Sequence, residues 1–240
     1  MGHGHRQRHR CIPGGGEEKM KRFLLVFLTA SAWVSAEAAG TALYDTGPSQ
    51  DAAFVRFVNA TDSRLEVVSG KARLPLPTDK PVSEYLAVKP DTMLGGSVEG
   101  GGRSGKISVK TAPSAFTTVV ALPGADGKAI STAVVSESPD DFNALKSAIA
   151  FYNYDAGCKA AGLETAGKSV SIFKGVGERK VQRRMVNPIA LAVQPTCDGK
   201  PRGAPVDLGM LQAGQRYSLL LVPVTAGSSK LIFTTDSIAR

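Results

Sequence analysis

Apolar residues in this chain come in short runs, each closed by Gly, Pro, Asp or Asn. That punctuation limits the fold more than any other feature. Short apolar runs between turn-forming residues read as strands and turns. Hardly any segment holds helical spacing over three turns, so an all-β chain is predicted. The first set of predicted strands is Ala53–Val58, Leu65–Val68, Tyr85–Val88, Lys106–Lys110, Phe116–Leu122 and Ile130–Val135. The second is Ala148–Tyr152, Ser169–Phe173, Ile189–Gln194, Arg216–Val222 and Lys230–Thr234. One helical turn is predicted over Asp140–Lys146.

The two sets repeat each other. Val55-Arg56-Phe57-Val58-Asn59 opens the first, and Ile149-Ala150-Phe151-Tyr152-Asn153 opens the second. Thr118 to Pro123 likewise matches Ser218 to Pro223. A repeat of this length predicts two tandem β-sandwich domains. The expected division is a leader and signal peptide at 1–38, a first sandwich at 39–138 and a second at 139–240. The polar, proline-containing segment Ser136–Asp141 marks the boundary, and a modest interface between separate sandwiches is expected. Tyr217, just after the turn at Gly214, fits a tyrosine corner whose hydroxyl ties to nearby backbone.

The N-terminal region predicts export. Met20-Lys21-Arg22 is basic, Phe23 to Val34 is almost wholly apolar, and Ala36-Glu37-Ala38 offers a small-residue exit. These are the three parts of a secretory signal peptide. Met20 is the predicted start, because Gly16-Glu17-Glu18-Lys19 can be encoded by a purine-rich ribosome-binding site; the alternative is a long basic n-region. No cysteine sits at the exit, so no membrane anchor is expected, and the periplasm is the predicted location.

Cleavage after residue 38 removes all three histidines and the single tryptophan. Lys and Arg fall from 29 to 23, and Asp and Glu from 21 to 18, leaving a net charge of +5. A chain without histidine is denied a Ser-His-Asp triad, a Cys-His pair and histidine-containing zinc sites. A Ser-Lys dyad stays open, although nothing marks one out. No cofactor is expected. Cys158 and Cys197 remain, and in an oxidising compartment an isolated pair is read as a disulfide.

Other motifs yield to plainer readings. Gly100-Gly101-Gly102-Arg103-Ser104-Gly105-Lys106 suggests a phosphate loop, but Ile107 stands where Ser or Thr is needed, so a loop feeding a strand is preferred. Asp140-Asp141 reads as solvated linker carboxylates. All of the +5 charge lies in residues 139–240. Lys174, Arg179, Lys180, Arg183 and Arg184 crowd one stretch there, suited to an acidic polymer or an acidic partner face. A solvated basic loop is the competing reading. Tyr154 is the expected exposed aromatic for stacking a sugar, against the alternative of a partly buried loop anchor. Nucleic acid is excluded by compartment and by the lack of interleaved aromatics.

Ala42-Leu43-Tyr44 ahead of Ala53-Phe54-Val55-Arg56-Phe57-Val58-Asn59-Ala60 resembles the mature N-terminus of the AlgF family. Glu137-Ser138-Pro139 followed by Ser147–Asn153 resembles that family's junction between halves. The likeness spans roughly residues 42–235; the Cys158/Cys197 pair departs from it. The resemblance implies an accessory protein of polysaccharide O-acetylation, for alginate or for acetylated cellulose. The implied partners are periplasmic acetyltransferases and a membrane-bound O-acyltransferase. A non-catalytic adaptor is therefore expected. The alternatives are an acetyltransferase or acetylesterase of the same pathway, and a structural or chaperone-like envelope β-protein.

Overall fold

A computed structural model describes residues 52–124, 127–138, 143–225 and 227–240. The predicted signal peptide, the predicted start at Met20, Ala42-Leu43-Tyr44 and Asp140-Asp141 lie outside them. The described residues form an all-β fold without a helix. Asn143 to Lys146, where a helical turn is predicted, make a short turn instead. Its Leu145 N–H donates to Asn143 Oδ1 at 2.9 Å.

The first half contains β1 (Ala53–Asn59), β2 (Leu65–Ser69), β3 (Ala72–Leu76), β4 (Leu86–Val88), β5 (Met93–Gly100), β6 (Arg103–Lys110), β7 (Phe116–Pro123) and β8 (Ile130–Glu137). They make two sheets, ordered β4-β1-β7-β8 and β3-β2-β5-β6. The second half contains β9 (Ser147–Asn153), β10 (Ala161–Thr165), β11 (Ser171–Val176), β12 (Lys180–Val186) and β13 (Ala190–Cys197). It continues with β14 (Lys200–Pro201), β15 (Val206–Met210), β16 (Arg216–Thr225) and β17 (Ser228–Thr235). Its sheets are β12-β9-β16-β17 and β11-β10-β13-β14, with β15 also on β13. The repeat seen in sequence is thus a repeat of topology, including a parallel pairing of β1 with β7 and of β9 with β16.

The central strands explain why their sequences are apolar without alternation. Every residue of β1 and β9 is buried. Along β1, Val55 and Phe57 face the core of the first sandwich, while Val58 faces the second half. Along β9, Ile149 and Phe151 face the core of the second sandwich, while Ala150 and Tyr152 face the first half. Successive side chains of a strand point to opposite faces, so four sheets stack with three apolar layers between them. The middle layer joins the halves through Val58, Val120 and Val135 against Tyr152, Leu220 and Val222. The linkage between the sandwiches is therefore a shared core as well as a polar segment.

Asn59 and Asn153, equivalent in the repeat, do the same work. The Asn59 amide donates to the Ser63 and Leu76 carbonyls at 2.8 and 2.9 Å, and its Oδ1 accepts Thr61 N–H at 2.9 Å. The Asn153 amide donates to the Cys158 and Val176 carbonyls at 2.7 and 3.0 Å, and its Oδ1 accepts Asp155 N–H at 3.0 Å. Each pins the turn that leaves the central strand. Tyr217 closes the predicted corner, its hydroxyl oxygen accepting Gln212 N–H at 2.8 Å. The glycine-rich stretch is a hairpin between β5 and β6, where Gly101 and Gly102 take φ of 58° and 71°, as a two-residue type I′ turn requires.

Cys158 and Cys197 are disulfide-bonded, with Cα atoms 5.6 Å apart. The bond ties the turn before β10 to the end of β13. Closing a loop of about 40 residues is worth roughly 4 kcal/mol at most. Thiol titration of native protein exported to the periplasm is expected to find no free cysteine; two free thiols would contradict the bond. Asn59→Ala and Asn153→Ala are each expected to cost about 1–3 kcal/mol, because buried carbonyls and an amide lose their partners. Urea unfolding measures this, and a change within experimental scatter at either position would refute the shared role.

Candidate functional site

The basic stretch does not form one patch. Lys174 lies on β11 and Arg179 in the turn before β12, both exposed. Along β12, which pairs antiparallel with β9, Lys180 and Arg184 are exposed on the same side as Ile149, and Arg183 takes the other side with Ala150. Arg184 reaches across to the Ile172 carbonyl at 3.0 Å. Arg183 turns toward the first half and pairs with Glu137 at 2.7 Å, the two side chains being 14% and 11% exposed. The five cations thus lie on the edge strands β11 and β12 and the turn between them, four exposed and one turned toward the first half.

Tyr154 corrects the expectation of an exposed sugar platform. It is only 2% exposed and sits in the apolar layer between the halves. Burial pushes its phenol well above the ordinary tyrosine range. Its hydroxyl has no hydrogen-bond partner among the described residues. The strand turn after Asn153 folds back over the shared core and takes Tyr154 with it.

A charged cluster lies in that same layer. Arg56, on β1, is 1% exposed. Its Nε–H donates to Thr118 Oγ1 at 2.9 Å, within the first half. Nη1 donates to Asp236 Oδ1 at 2.7 Å, and Nη2 to Ser218 Oγ at 2.9 Å and Tyr152 Oη at 3.3 Å, all in the second half. The guanidinium also lies 4.5 Å from the ring centroid of Tyr85. Ser218 in turn donates to Asp236 Oδ1 at 2.7 Å. The Tyr152 hydroxyl donates to the carboxylate of Glu137, which also holds Arg183. Burial opposes the Arg56 charge, but Tyr152, Tyr85 and Asp236 more than offset it, so the group stays protonated.

This cluster forms one wall of a cleft of about 450 Å³ between the halves. Tyr85, Phe116, Glu137, Arg183, Arg216 and Asp236 line it, together with Ile238. Phe116 stacks on Phe54 at 4.7 Å and meets the edge of Tyr85 at 5.0 Å. The cleft therefore combines an aromatic side with a charged one.

Two serines lie beside carboxylates, Ser218 by Asp236 and Ser229 by Asp155, the latter at 2.5 Å. Each carboxylate is also held by an arginine, Arg56 or Arg202. For Asp155, burial favours the neutral acid, but bonds from Ser229, Arg202 and the Gly157 N–H outweigh it and keep the carboxyl below its ordinary value. An arginine-paired carboxylate is a weak base, and both serines are buried. These hydroxyls serve the fold. Among the described residues no group of three or more His, Cys, Asp or Glu is placed to hold a metal ion, and no helix is long and apolar enough to cross a membrane.

The sequence profile of the family described as Alginate O-acetyl transferase AlgF matches residues 25–218. The chain belongs to the AlgF family. That family is implicated in alginate O-acetylation. Among solved structures it resembles the C-terminal domain of AlgF from P. aeruginosa, at 22% identity over 38% of this chain and 98% of that one, with a TM-score of 0.32. It also resembles a putative cell adhesion protein from Bacteroides uniformis ATCC 8492, at 11% identity over 80% and 100% of the two chains, with a TM-score of 0.27. Likeness at these TM-scores carries no argument about function. Comparison with curated protein sequences gives no match.

In the sequence, Arg56 falls in the AlgF-like strand and Glu137 at the junction between halves, but neither was given a role, and Asp236 was not singled out. The signal was a lone arginine in an otherwise apolar strand, since a charge there needs a buried partner. Arg56→Met is expected to lower stability by about 3–5 kcal/mol by leaving Asp236 uncompensated. Tyr154→Phe is expected to be neutral or stabilising, since it removes an unpaired buried hydroxyl. Urea unfolding of both variants checks this; an Arg56→Met protein as stable as the wild type would contradict the network.

Proposed function

We propose that this AlgF-family chain is a non-catalytic periplasmic adaptor required for O-acetylation of an exopolysaccharide, alginate by family. It holds partner acetyltransferases, the polymer, or both. Its two domains are taken as 39–138 and 139–240. The observation that supports this reading is where the polar groups go. The Ser–Asp–Arg clusters are spent inside the fold, while Lys174, Arg179, Lys180 and Arg184 are presented outward along one edge of the second half. Arginine side chains there suit carboxylates, whether of a uronic-acid polymer or of an acidic partner face.

The family description contains the word transferase, which favours a second reading, an acetyltransferase of the same pathway. Turnover separates the two. The purified chain with an activated acetyl donor and polymer is expected to show no transfer or hydrolysis; robust turnover would overturn the adaptor. Changing Lys174, Arg179, Lys180 and Arg184 to Ala is expected to reduce polymer acetylation in cells while the protein stays folded, because exposed charges add little to stability. Arg183 is left intact because it is an interior partner of Glu137. Any binding through these cations is expected to weaken as salt rises, since screening acts over about 8 Å at physiological ionic strength. Unchanged acetylation in the quadruple variant would remove this edge from the mechanism.

A further inference from the structure

The two halves share a topology but differ at one edge. In the second half, β11 and β12 are the edge strands on one side of the sandwich. Long side chains of β12 close the gap between them, Arg184 donating to the Ile172 carbonyl at 3.0 Å and Gln182 to the Lys174 carbonyl at 3.4 Å. In the first half the corresponding edges are β3 and β4. By register, Arg184 opposite Ile149 corresponds to Leu86 opposite Val55. Leucine has nothing to donate, and no side-chain bridge crosses that gap among the described residues.

The gap opens into a pocket of about 380 Å³ that enters the core of the first sandwich. Val55, Phe57, Leu74, Leu86, Val88 and Ile107 line it, so its wall is almost wholly apolar. The far side of the same sandwich is shut, with Thr132 Oγ1 donating to the Lys106 carbonyl at 3.1 Å. The opening is thus confined to the β3/β4 side.

We propose that this slot receives an extended segment of a partner protein, with alternating apolar side chains and acidic residues at its ends. Two observations select that occupant. First, main-chain pairing already occurs at this edge, through an isolated bridge between Tyr85 and Ile238. Tyr85, next to β4, donates its N–H to the Ser237 carbonyl at 2.8 Å, and its own carbonyl accepts Ala239 N–H at 2.9 Å. An incoming segment continues that interface along Leu86–Val88, where main-chain pairing gives affinity and alternate side chains enter the slot. Second, the charged residue in the slot's lining is a cation, Arg73, which pairs with Glu66 at 2.8 Å, and Lys71 and Lys89 adjoin the lining residues Ala72 and Val88 in sequence. The mouth therefore favours acidic flanks. This deepens the adaptor reading and rests on it, giving the protein a second contact site on the half opposite the basic edge.

The repeat supplies its own test. The probe is an amidated octapeptide alternating valine and threonine between terminal aspartates. It is titrated into the mature chain and followed by amide chemical shifts. Shifts centred on Leu86, Val88 and Ile107 are expected. Leu86→Arg, which copies Arg184, is expected to weaken binding by about tenfold or more. Arg184→Leu is expected to open an equivalent slot and add a second set of shifts around Ile172 and Val186. That variant keeps the test meaningful if Leu86→Arg fails to fold. Equal binding of a peptide with its valines and threonines in separate blocks, or tighter binding of one with terminal lysines, would overturn the proposal. So would binding of decanoate without the octapeptide, which would make the slot an acyl-chain site. Binding that emerges only after residues before Ala52 are removed would assign the slot to the chain's own N-terminal segment. The two readings fail separately: acetyl transfer or hydrolysis by the purified chain refutes the adaptor itself, whereas loss of peptide binding alone refutes only the slot.

Discussion

The fold depends on a positive charge buried where the two halves meet. Arg56 leaves the middle of β1, a strand with no exposed residue, and finds its acceptors on both sides of the boundary. An unpaired charge in that layer would be prohibitive, so the layer forms only when Asp236, Ser218 and Tyr152 are in place. The apolar contacts around it supply area, and the charge supplies register. One relative placement of the two sheets satisfies the guanidinium donors, while sliding Val58 past Leu220 would cost an apolar interface comparatively little. Glu137 and Arg183 extend the same constraint to the rim of the cleft.

That constraint gives the duplication its use. Two copies of one topology have been kept alike where they build the fold and allowed to diverge where they meet solvent. Asn59 and Asn153 keep equivalent partners, the carbonyls of the turn that follows and of the strand beyond it. Leu86 and Arg184 occupy equivalent positions and do opposite things to their edges. The outward faces of a rigidly joined pair can then be specialised separately, a basic edge on one half and an apolar slot on the other. Such a body suits a protein that positions others within an acetylation pathway.

Much of this was legible in the sequence, for identifiable reasons. The strands with strong apolar runs, such as Phe116–Pro123, were found because burial on both faces leaves little polar interruption. The weaker edge strands escaped, among them Ala72–Leu76 and Lys180–Val186, because their exposed faces carry charges and their pattern resembles a loop. The disulfide and the tyrosine corner followed from compartment and from local turn chemistry. The shared core was not foreseen, although its trace was present: Val119 to Leu122 and Leu219 to Val222 are apolar at every position, one more buried face than an isolated sandwich needs. Tyr154 misled because Asn and Asp neighbours suggest a surface turn, and only the return of the chain over the second sheet buries it. The Arg56 partners lie far apart in sequence, so no local pattern announced them.

The account stands or falls on whether the halves form one thermodynamic body. Calorimetric unfolding of residues 39–240 tests this most directly. A shared apolar layer fixed by Arg56 predicts a single transition whose calorimetric enthalpy equals its van't Hoff enthalpy. Two separable transitions, one for each half, would show that the layer contributes little and would contradict the account.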